Sequence, residues 1–319
     1  MFLNTPLVSV CIPAYRSEKY IRETIDCLLK QTYQNLEIIV IIDGAEDDTE
    51  NILKSIADHR LKYLLQSNKG AAAARNTAYK LSKGEFIKFM DADDLINPEC
   101  IELQLQKLGD NQDCIVSAKW GRFYTADRSD FKLAPEKIYK DLRGIDWLIN
   151  SLIYSGANMM QPGIFLIPRA IIEKAGLWNE ALSLIDDFEY MVRIISGSEK
   201  VYFCEGAVLM YRSGLSGNLS GEKSALHMNS AYQSLTLGIE RILEVQNDTS
   251  SRLACANIYQ KWAYQFYPDH LELCNKTEEK IKKLGGSDIN LGGGDLFILL
   301  SKIIGWKSAK KLKMFFGRV

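Results

Sequence analysis

Short apolar runs alternate with stretches of helical period through the first part of the chain. Residues 7–12 (LVSVCI) are apolar and β-branched, end at Pro13, and predict a buried strand. Between residues 18 and 30, Tyr20, Ile21, Ile25, Leu28 and Leu29 recur at helical spacing, with Ser17 placed to cap that helix. Residues 36–42 predict a second strand, 47–57 a helix, 61–65 a third strand, 70–81 an Ala-rich helix and 86–90 a fourth strand. Such alternation predicts a mostly parallel sheet covered on both faces. Ligands of open α/β sheets bind beyond the carboxyl ends of the strands. Pro13-Ala14-Tyr15, Asp43-Gly44 and the acidic cluster at Asp91 all follow such ends, so they are expected to meet in one crevice.

After Pro98 the alternation weakens. Helical signal covers 99–108, and strand-like signal covers 114–119 and 163–167. A short helix at 168–175 leads to the turn Gly176-Leu177-Trp178. Residues 184–195 predict an apolar helix beginning with Asp186-Asp187-Phe188-Glu189, and 201–211 two short strands around Glu205-Gly206. A Gly- and Ser-rich loop at 213–221 precedes a helical pattern that runs to 283, and a Gly-rich loop at 285–294 separates the last segment. The expected division is an α/β domain over 1–220 and a helical region over 221–319, ending in a basic amphipathic tail from 295.

Bulk composition narrows the class. A chain of 319 residues, 47% hydrophobic and 25% charged, has the make-up of a globular protein with a large core. Its net charge of -1 supplies no general attraction to nucleic acid, so no nucleic-acid partner is expected. Seven scattered cysteines, odd in number and without a CxxC pair, point to reduced thiols in a cytoplasmic protein. Met1 to Pro6 lead directly into the first strand, without the pattern of a signal peptide. No apolar stretch reaches the length of about 20 residues that spans a bilayer.

Asp91-Ala92-Asp93-Asp94 is the most telling polar feature. Carboxylates crowded at the end of a buried strand repel one another unless a cation or hydrogen-bond donors compensate them. Mg²⁺ and Mn²⁺ favour such oxygen clusters and use them to hold phosphates. A solvated turn or helix cap before Asn97-Pro98 is the plain alternative.

Taken in order, VSVCIPAY (8–15), QTY (31–33), EIIVIIDGAEDDT (37–49), NKGAAAARN (68–76), GEFIKFMDADD (84–94) and DDFEYMVR (186–193) resemble the motifs of family 2 glycosyltransferases. The resemblance covers residues 7–220. It implies a GT-A fold with a mostly parallel, mixed central sheet, and a metal-dependent inverting enzyme that uses a nucleotide-sugar donor. Asp43 matches the family's Asp that accepts the N3–H of a pyrimidine base, a task suited to an acceptor-only carboxylate. Pro13, Ala14 and Tyr15 would wall that base. Arg75 matches a family Arg beside the nucleotide, where a fixed cation suits the diphosphate. The resemblance further implies that Asp93 ligates Mn²⁺ or Mg²⁺, with Asp91 on the ribose or the metal shell. Asp94 would order the loop or cap the helix entering at Pro98. Asp187 matches the carboxylate that takes the proton from the acceptor hydroxyl. Ordinary readings exist for each: a turn at Asp43-Gly44, an exposed helix Arg75, and helix-start acids at Asp186 and Asp187.

Departures from the pattern are visible. Ile42 stands where many relatives have an Asp, Arg16 where Asn is common, and Asp186 where Glu is frequent. Residues 211–214 (YRSG) lack the His that some relatives place there, which puts a third protein ligand in doubt. His59, His227 and His270 have no ligand spacing.

Beyond the matched region, residues 296–304 are apolar, and Lys307, Lys310, Lys311, Lys313 and Arg318 follow among Trp306, Leu312, Phe315 and Phe316. This tail could lie on the anionic inner leaflet, which would suit a lipid-linked acceptor, or pack against the domain with its lysines in solvent. The resulting expectation is a cytoplasmic hexosyl- or hexosaminyltransferase, peripheral at the cytoplasmic face of the membrane where the tail docks on it. Its donor would be a UDP-sugar, its acceptor a glycan or lipid-linked hydroxyl, and its setting bacterial surface-polysaccharide synthesis. A processive synthase would carry transmembrane helices and QxxRW, and neither is present. Two other classes compete. A nucleotidyltransferase should show a Gly-rich basic loop where Pro13-Ala14-Tyr15-Arg16-Ser17 stands, and a catalytically silent scaffold would have no need of the four acids. A dehydrogenase is excluded by the lack of GxGxxG after the first strand.

Overall fold

The computed structural model describes residues 5–44, 46–154, 156, 160–215, 223–291 and 294–316. Four parallel strands form one half of the sheet: β1 (Val8–Ala14), β2 (Leu36–Asp43), β3 (Leu61–Gln66) and β4 (Phe86–Phe89), in the spatial order β3-β2-β1-β4. Helices α1 (Ile21–Leu29), α2 (Thr49–Lys54) and α3 (Ala71–Leu81) make the crossovers, and β1, β2 and β4 are buried along almost their whole length. Because the strands are parallel neighbours, Ala14, Asp43 and Phe89 end on one edge of the sheet.

The strand expected to stop at Pro13 runs on to Ala14. Cys11 and Pro13 turn their backbone toward β4, whose pairing ends at Phe89–Cys11, so the missing proline N–H costs no ladder bond. Ser17 is not the cap of α1. The helix starts at Ile21, and the Ser17 carbonyl instead accepts from the N–H groups of Tyr20 and Ile21.

The second half of the sheet is mixed. It holds β5 (Leu95–Ile96), β6 (Cys114–Phe123), β7 (Lys132–Leu133), β8 (Leu142–Arg143) and β10 (Lys200–Arg212), with β10 parallel to β6 and antiparallel to β5 and β8. A short β9 (Ile167–Pro168) pairs antiparallel with β4, and a bridge between Val116 and Leu166 joins the halves. The region 201–211, expected as two strands, is one strand whose register shifts between Cys204 and Val208, so Glu205-Gly206 form an irregularity within it. Helix α4 (Cys100–Leu108) follows β5. Helix α5 (Gly144–Ile153) packs beside β8 and β10, α6 (Arg169–Ala175) follows β9, and α7 (Asp186–Ser196) sets its Tyr190 ring against Phe89 of β4.

The C-terminal helices are α8 (Ala225–Val245), α9 (Thr249–Phe266), α10 (Leu271–Leu284), α11 (Asp295–Ile304) and α12 (Trp306–Phe316). Their buried residues, including Ala231, Leu235, Ile239, Cys255 and Tyr259, belong to the same core cluster as the sheet. Helix α8 lies so close to α7 that a Cβ added at Gly238 would come within 2.5 Å of the Phe188 ring. The expected boundary at Ser220 lies outside the described residues. All seven cysteines are free. Among the described residues no helix is long and apolar enough to cross a membrane.

Candidate active site

The crevice opens where β1, β2 and β4 end. Asp43, the last residue of β2, is buried and accepts three hydrogen bonds. Gln66 Nε2 (2.7 Å) and Lys69 N–H (2.8 Å) reach Oδ1, and Gly70 N–H (2.8 Å) reaches Oδ2. Gly70 sits at φ 89°, a conformation that glycine adopts without strain, and its N–H closes the loop onto Asp43 just before α3. A carboxylate has about four acceptor positions, so one remains free. The Tyr15 ring is exposed beside Gly44, close to where a Cβ at that glycine would stand. Pro13 and Ala14 form the adjoining end of β1.

Arg75 is the hub of the acidic side. It lies on α3 yet is buried, so the exposed-helix reading is overturned. Its Nη2 donates to Asp91 Oδ1 at 2.9 Å, and its Nη1 donates to Asp186 Oδ2 at 3.0 Å. The guanidinium lies 4.5 Å from the ring centroid of Trp178, which stacks at 3.9 Å on Tyr190, with Phe89 edge-on to both. Both terminal nitrogens are therefore committed to carboxylates, and the aromatic stack fixes the plane of the fork.

Asp94 orders its loop and does not cap α4, whose N-cap is Glu99. Fully buried, it accepts from the Arg212 N–H at 3.0 Å and from Gln161 Nε2 at 2.6 Å. Burial, together with Asp93 and Asp91, holds its carboxyl well above the usual range. Gln161 Nε2 also reaches Asp91 Oδ2 at 3.3 Å. Arg212 donates from Nε to the Asp93 carbonyl at 2.9 Å and from Nη2 to Glu23 at 2.5 Å. Among the described residues no other side chain donates to the Asp93 carboxylate, and burial and then Asp91 push it up to about 7. Among the described residues, Arg75 is the cation paired with Asp91 and Asp186, and the nearby Arg212 guanidinium is paired with Glu23, so five carboxyl groups outnumber the cations beside them. A divalent cation at Asp91 and Asp93 fits that imbalance. Among the described residues no three or more His, Cys, Asp or Glu side chains converge to hold a metal.

Helix α7 begins at Asp186, after Ile185 in a left-handed conformation at φ 54°. Neither acid is the N-cap residue, but both engage first-turn amides: Asp186 Oδ1 accepts the Asp187 N–H at 3.0 Å and Asp187 Oδ1 the Phe188 N–H at 2.9 Å. Burial and then Asp186 push Asp187 up to about 7, against the opposing Arg75. Asp187 lines a cavity of about 360 Å³, walled by Phe188, Met228, Ile258, Lys261 and Trp262.

Sequence reasoning missed Gln161, Arg212, Trp178 and the α9 residues. Arg212 stands in the very segment that lacks the expected His. Gln161 precedes the strand-like signal at 163–167 and carried none of its own; it caps a 3-10 turn at Pro162–Ile164, with its Oε1 accepting the Gly163 N–H.

The model of the family described as "Glycosyl transferase family 2" matches residues 9–166. An uncharacterized glycosyltransferase of Rickettsia typhi is 32% identical over 244 residues, covering 76% of this chain and 74% of that protein. Glycosyltransferase GlyG of Streptococcus pneumoniae is 31% identical over 220 residues, covering 65% of this chain and 70% of GlyG. In fold, the chain superposes on S. aureus TarS 1-349, solved in complex with UDP-GlcNAc, with a TM-score of 0.71 at 16% identity, over 98% of this chain and 92% of that one. The chain belongs to glycosyl transferase family 2: it is a glycosyltransferase with a GT-A-like mixed α/β sheet and a helical C-terminal extension.

Proposed function

We propose that this glycosyltransferase moves one sugar, with inversion, from a UDP-linked donor to a hydroxyl of a glycan or lipid-linked acceptor, in bacterial surface-polysaccharide synthesis. The observation that carries the reading is the position of Asp187. It is a carboxylate pushed up to about 7, wired through Asp186 and Arg75 to Asp91, and facing a cavity large enough for a small-molecule group. The complex of TarS with UDP-GlcNAc, a protein of the same fold, supports the choice of donor class.

In this reading the base of the nucleotide lies against Tyr15, with its N3–H on the free acceptor position of Asp43. Asp43 also holds the backbone of Lys69 and Gly70, so the nucleotide wall and the start of α3 are one unit. Asp91 and Asp93 would hold Mn²⁺ or Mg²⁺ near the diphosphate. When bound, that ion supplies positive charge to the departing nucleoside diphosphate. Arg75 holds Asp91 and Asp186 with one N–H from each terminal nitrogen, and its remaining N–H groups and fixed charge suit the diphosphate side of the crevice. Asp187 accepts the acceptor's hydroxyl proton as the new C–O bond forms and the bond to the diphosphate breaks. One displacement inverts the anomeric carbon without a covalent enzyme intermediate.

Calorimetric titration of UDP, GDP, dTDP and CDP with Mn²⁺ or EDTA tests this. UDP binding that requires metal, is lost in Asp93→Ala and is weakened in Asp43→Asn is the expected result. Absence of nucleotide binding under all conditions would sink the enzyme mechanism and leave a silent scaffold.

The tail supports a peripheral location at the cytoplasmic face of a membrane. Its inward residues Phe297 and Ala309 are fully buried, and Lys310 donates to the carbonyls of Tyr264 and Tyr267. Its outward residues are also apolar, with Ile303 70% and Phe315 83% exposed, beside exposed Lys302 and Lys311. The two readings of the tail thus occupy opposite faces. Arg318 lies outside the described residues.

A further inference from the structure

The cavity beside Asp187 contains a cation that nothing in the donor reading uses. Lys261, on α9, is half-buried, and burial pushes its amine down. Among the described residues it has neither an ion pair nor a hydrogen bond. The neighbouring lysines differ: Lys307 pairs with Glu278 at 2.7 Å, and Lys310 is bonded to two carbonyls. An ammonium partly withdrawn from water and without an anion is a place where an anionic group of a ligand would gain charge-assisted hydrogen bonds. Lys223 and Trp262 line the same cavity, and Lys223 adds a second positive charge.

We infer that the C-terminal helices build the acceptor subsite, and that it takes a negatively charged acceptor bearing a phosphate or carboxylate. The inference rests on the assignment of Asp187 as the base, because the acceptor hydroxyl must reach that carboxylate while its anionic group meets Lys261. The geometry suits this division of labour. Asp187 and Phe188 come from α7 on one side, Met228 from α8, and Ile258, Lys261, Trp262 and Gln265 from one face of α9 on the other. Trp262 and the apolar walls accept the nonpolar face of a sugar or its aglycone, and Lys261 with Lys223 selects for charge. Specificity for the acceptor would then lie on helices outside the region that the family model matches, residues 9–166.

Direct binding to defined probes tests the subsite. The full chain, saturated with UDP and Mg²⁺ to fill the donor crevice, is titrated by NMR with sn-glycerol 3-phosphate, methyl β-glucuronide and methyl β-glucoside. The expected result is saturable binding of the phosphate or the carboxylate probe, weaker binding of the neutral one, and a loss of about tenfold or more in Lys261→Met. Whichever anionic probe binds tighter identifies the charged group. Gln265→Glu, at an exposed position of the cavity rim, should weaken the same probe through like-charge repulsion, and Lys302→Met in the tail should leave it unchanged. Equal binding by wild type and Lys261→Met, equal binding of the neutral glucoside, or binding by neither anion overturns the inference. UDP binding and melting of Lys261→Met are recorded in the same samples. Retained UDP binding with no anion site defeats the subsite alone, whereas absent UDP binding in the wild type defeats the donor reading.

Discussion

Ser234, on α8, donates its hydroxyl to the carbonyl oxygen of Ile185 at 2.6 Å. Ile185 is a β-branched residue at φ 54° and ψ 33°, a left-handed conformation that costs about 1–3 kcal/mol outside glycine and asparagine. That backbone reversal starts α7 and aims Asp187 into the cavity. One turn away on α8, Ser230 Oγ accepts the Ser183 N–H at 2.7 Å. The helical extension therefore holds the bend itself and the chain two residues before it.

Ser234→Ala should reduce turnover more than stability. The Ile185 carbonyl keeps the Phe188 N–H at 3.1 Å, so the lost bond costs about 1 kcal/mol in unfolding. A base displaced by a fraction of an ångström loses much more in rate, about tenfold or beyond. Steady-state kinetics with UDP calorimetry checks the split: kcat falls while UDP affinity holds. An equal loss in both would mean that α8 supports the whole crevice and not the bend.

Asp187→Asn should remove transfer activity by a factor of about 10² to 10⁴ and spare UDP binding. In the wild type, kcat/KM should fall as pH drops through about 7, because the base works deprotonated and burial has raised it to that value. The stability effect has a definite sign. The folded carboxyl holds its proton up to about 7, whereas the unfolded one releases it near the ordinary aspartate value of 3.8. The wild type thus loses stability as pH rises across that window. The melting advantage of Asp187→Asn should grow between those limits and then level off, which melting curves at pH 4, 6 and 8 would reveal. A constant offset would place the group's titration elsewhere.

The parallel half of the fold was legible because buried strands are continuous apolar runs with turn signals at their ends. The misreadings arose where tertiary pairing overrides local signal. Pro13 stays in its strand because the neighbouring strand has already ended. Glu205-Gly206 interrupts the apolar pattern of a strand that its partner β6 nevertheless keeps in one piece. Lys88 sits in the middle of a run that reads as apolar, yet it is fully buried because Gln104 Oε1 and the Phe165 carbonyl receive its amine at 3.0 and 3.4 Å. At the site, the acids were legible as residue types at strand ends and at a helix start. Their partners were not, since Arg75 joins Asp91 to Asp186 across the chain and Gln161 and Arg212 arrive from distant elements. Hydrogen bonds of that range leave no periodicity in a sequence.

Arg75→Lys is not a conservative change here. A lysine keeps the charge but cannot bond Asp91 and Asp186 at once or lie flat on Trp178. Urea unfolding should show a loss of about 1–3 kcal/mol, and Arg75→Met, which leaves the buried Asp186 uncompensated, about 3–5 kcal/mol. Both variants should lower kcat, because Asp186 flanks the base. An Arg75→Lys enzyme with wild-type stability and kcat would remove the bridge from the mechanism.

The outward face of the tail yields the last expectation. Helices α11 and α12 meet at Gly305, φ 80°, and their exposed Ile303 and Phe315 stand among exposed lysines. Insertion of such a face is driven by apolar burial and by about 1 kcal/mol for each basic residue near an anionic surface. In sedimentation assays the full chain should bind vesicles containing phosphatidylglycerol, release them as salt is raised, and leave phosphatidylcholine vesicles unbound. Ile303→Ser with Phe315→Ser should abolish binding without changing melting, since both side chains face solvent. Lys311→Glu should weaken it while preserving the fold. If the double variant still sediments with anionic vesicles, the exposed residues of the tail are not the anchor.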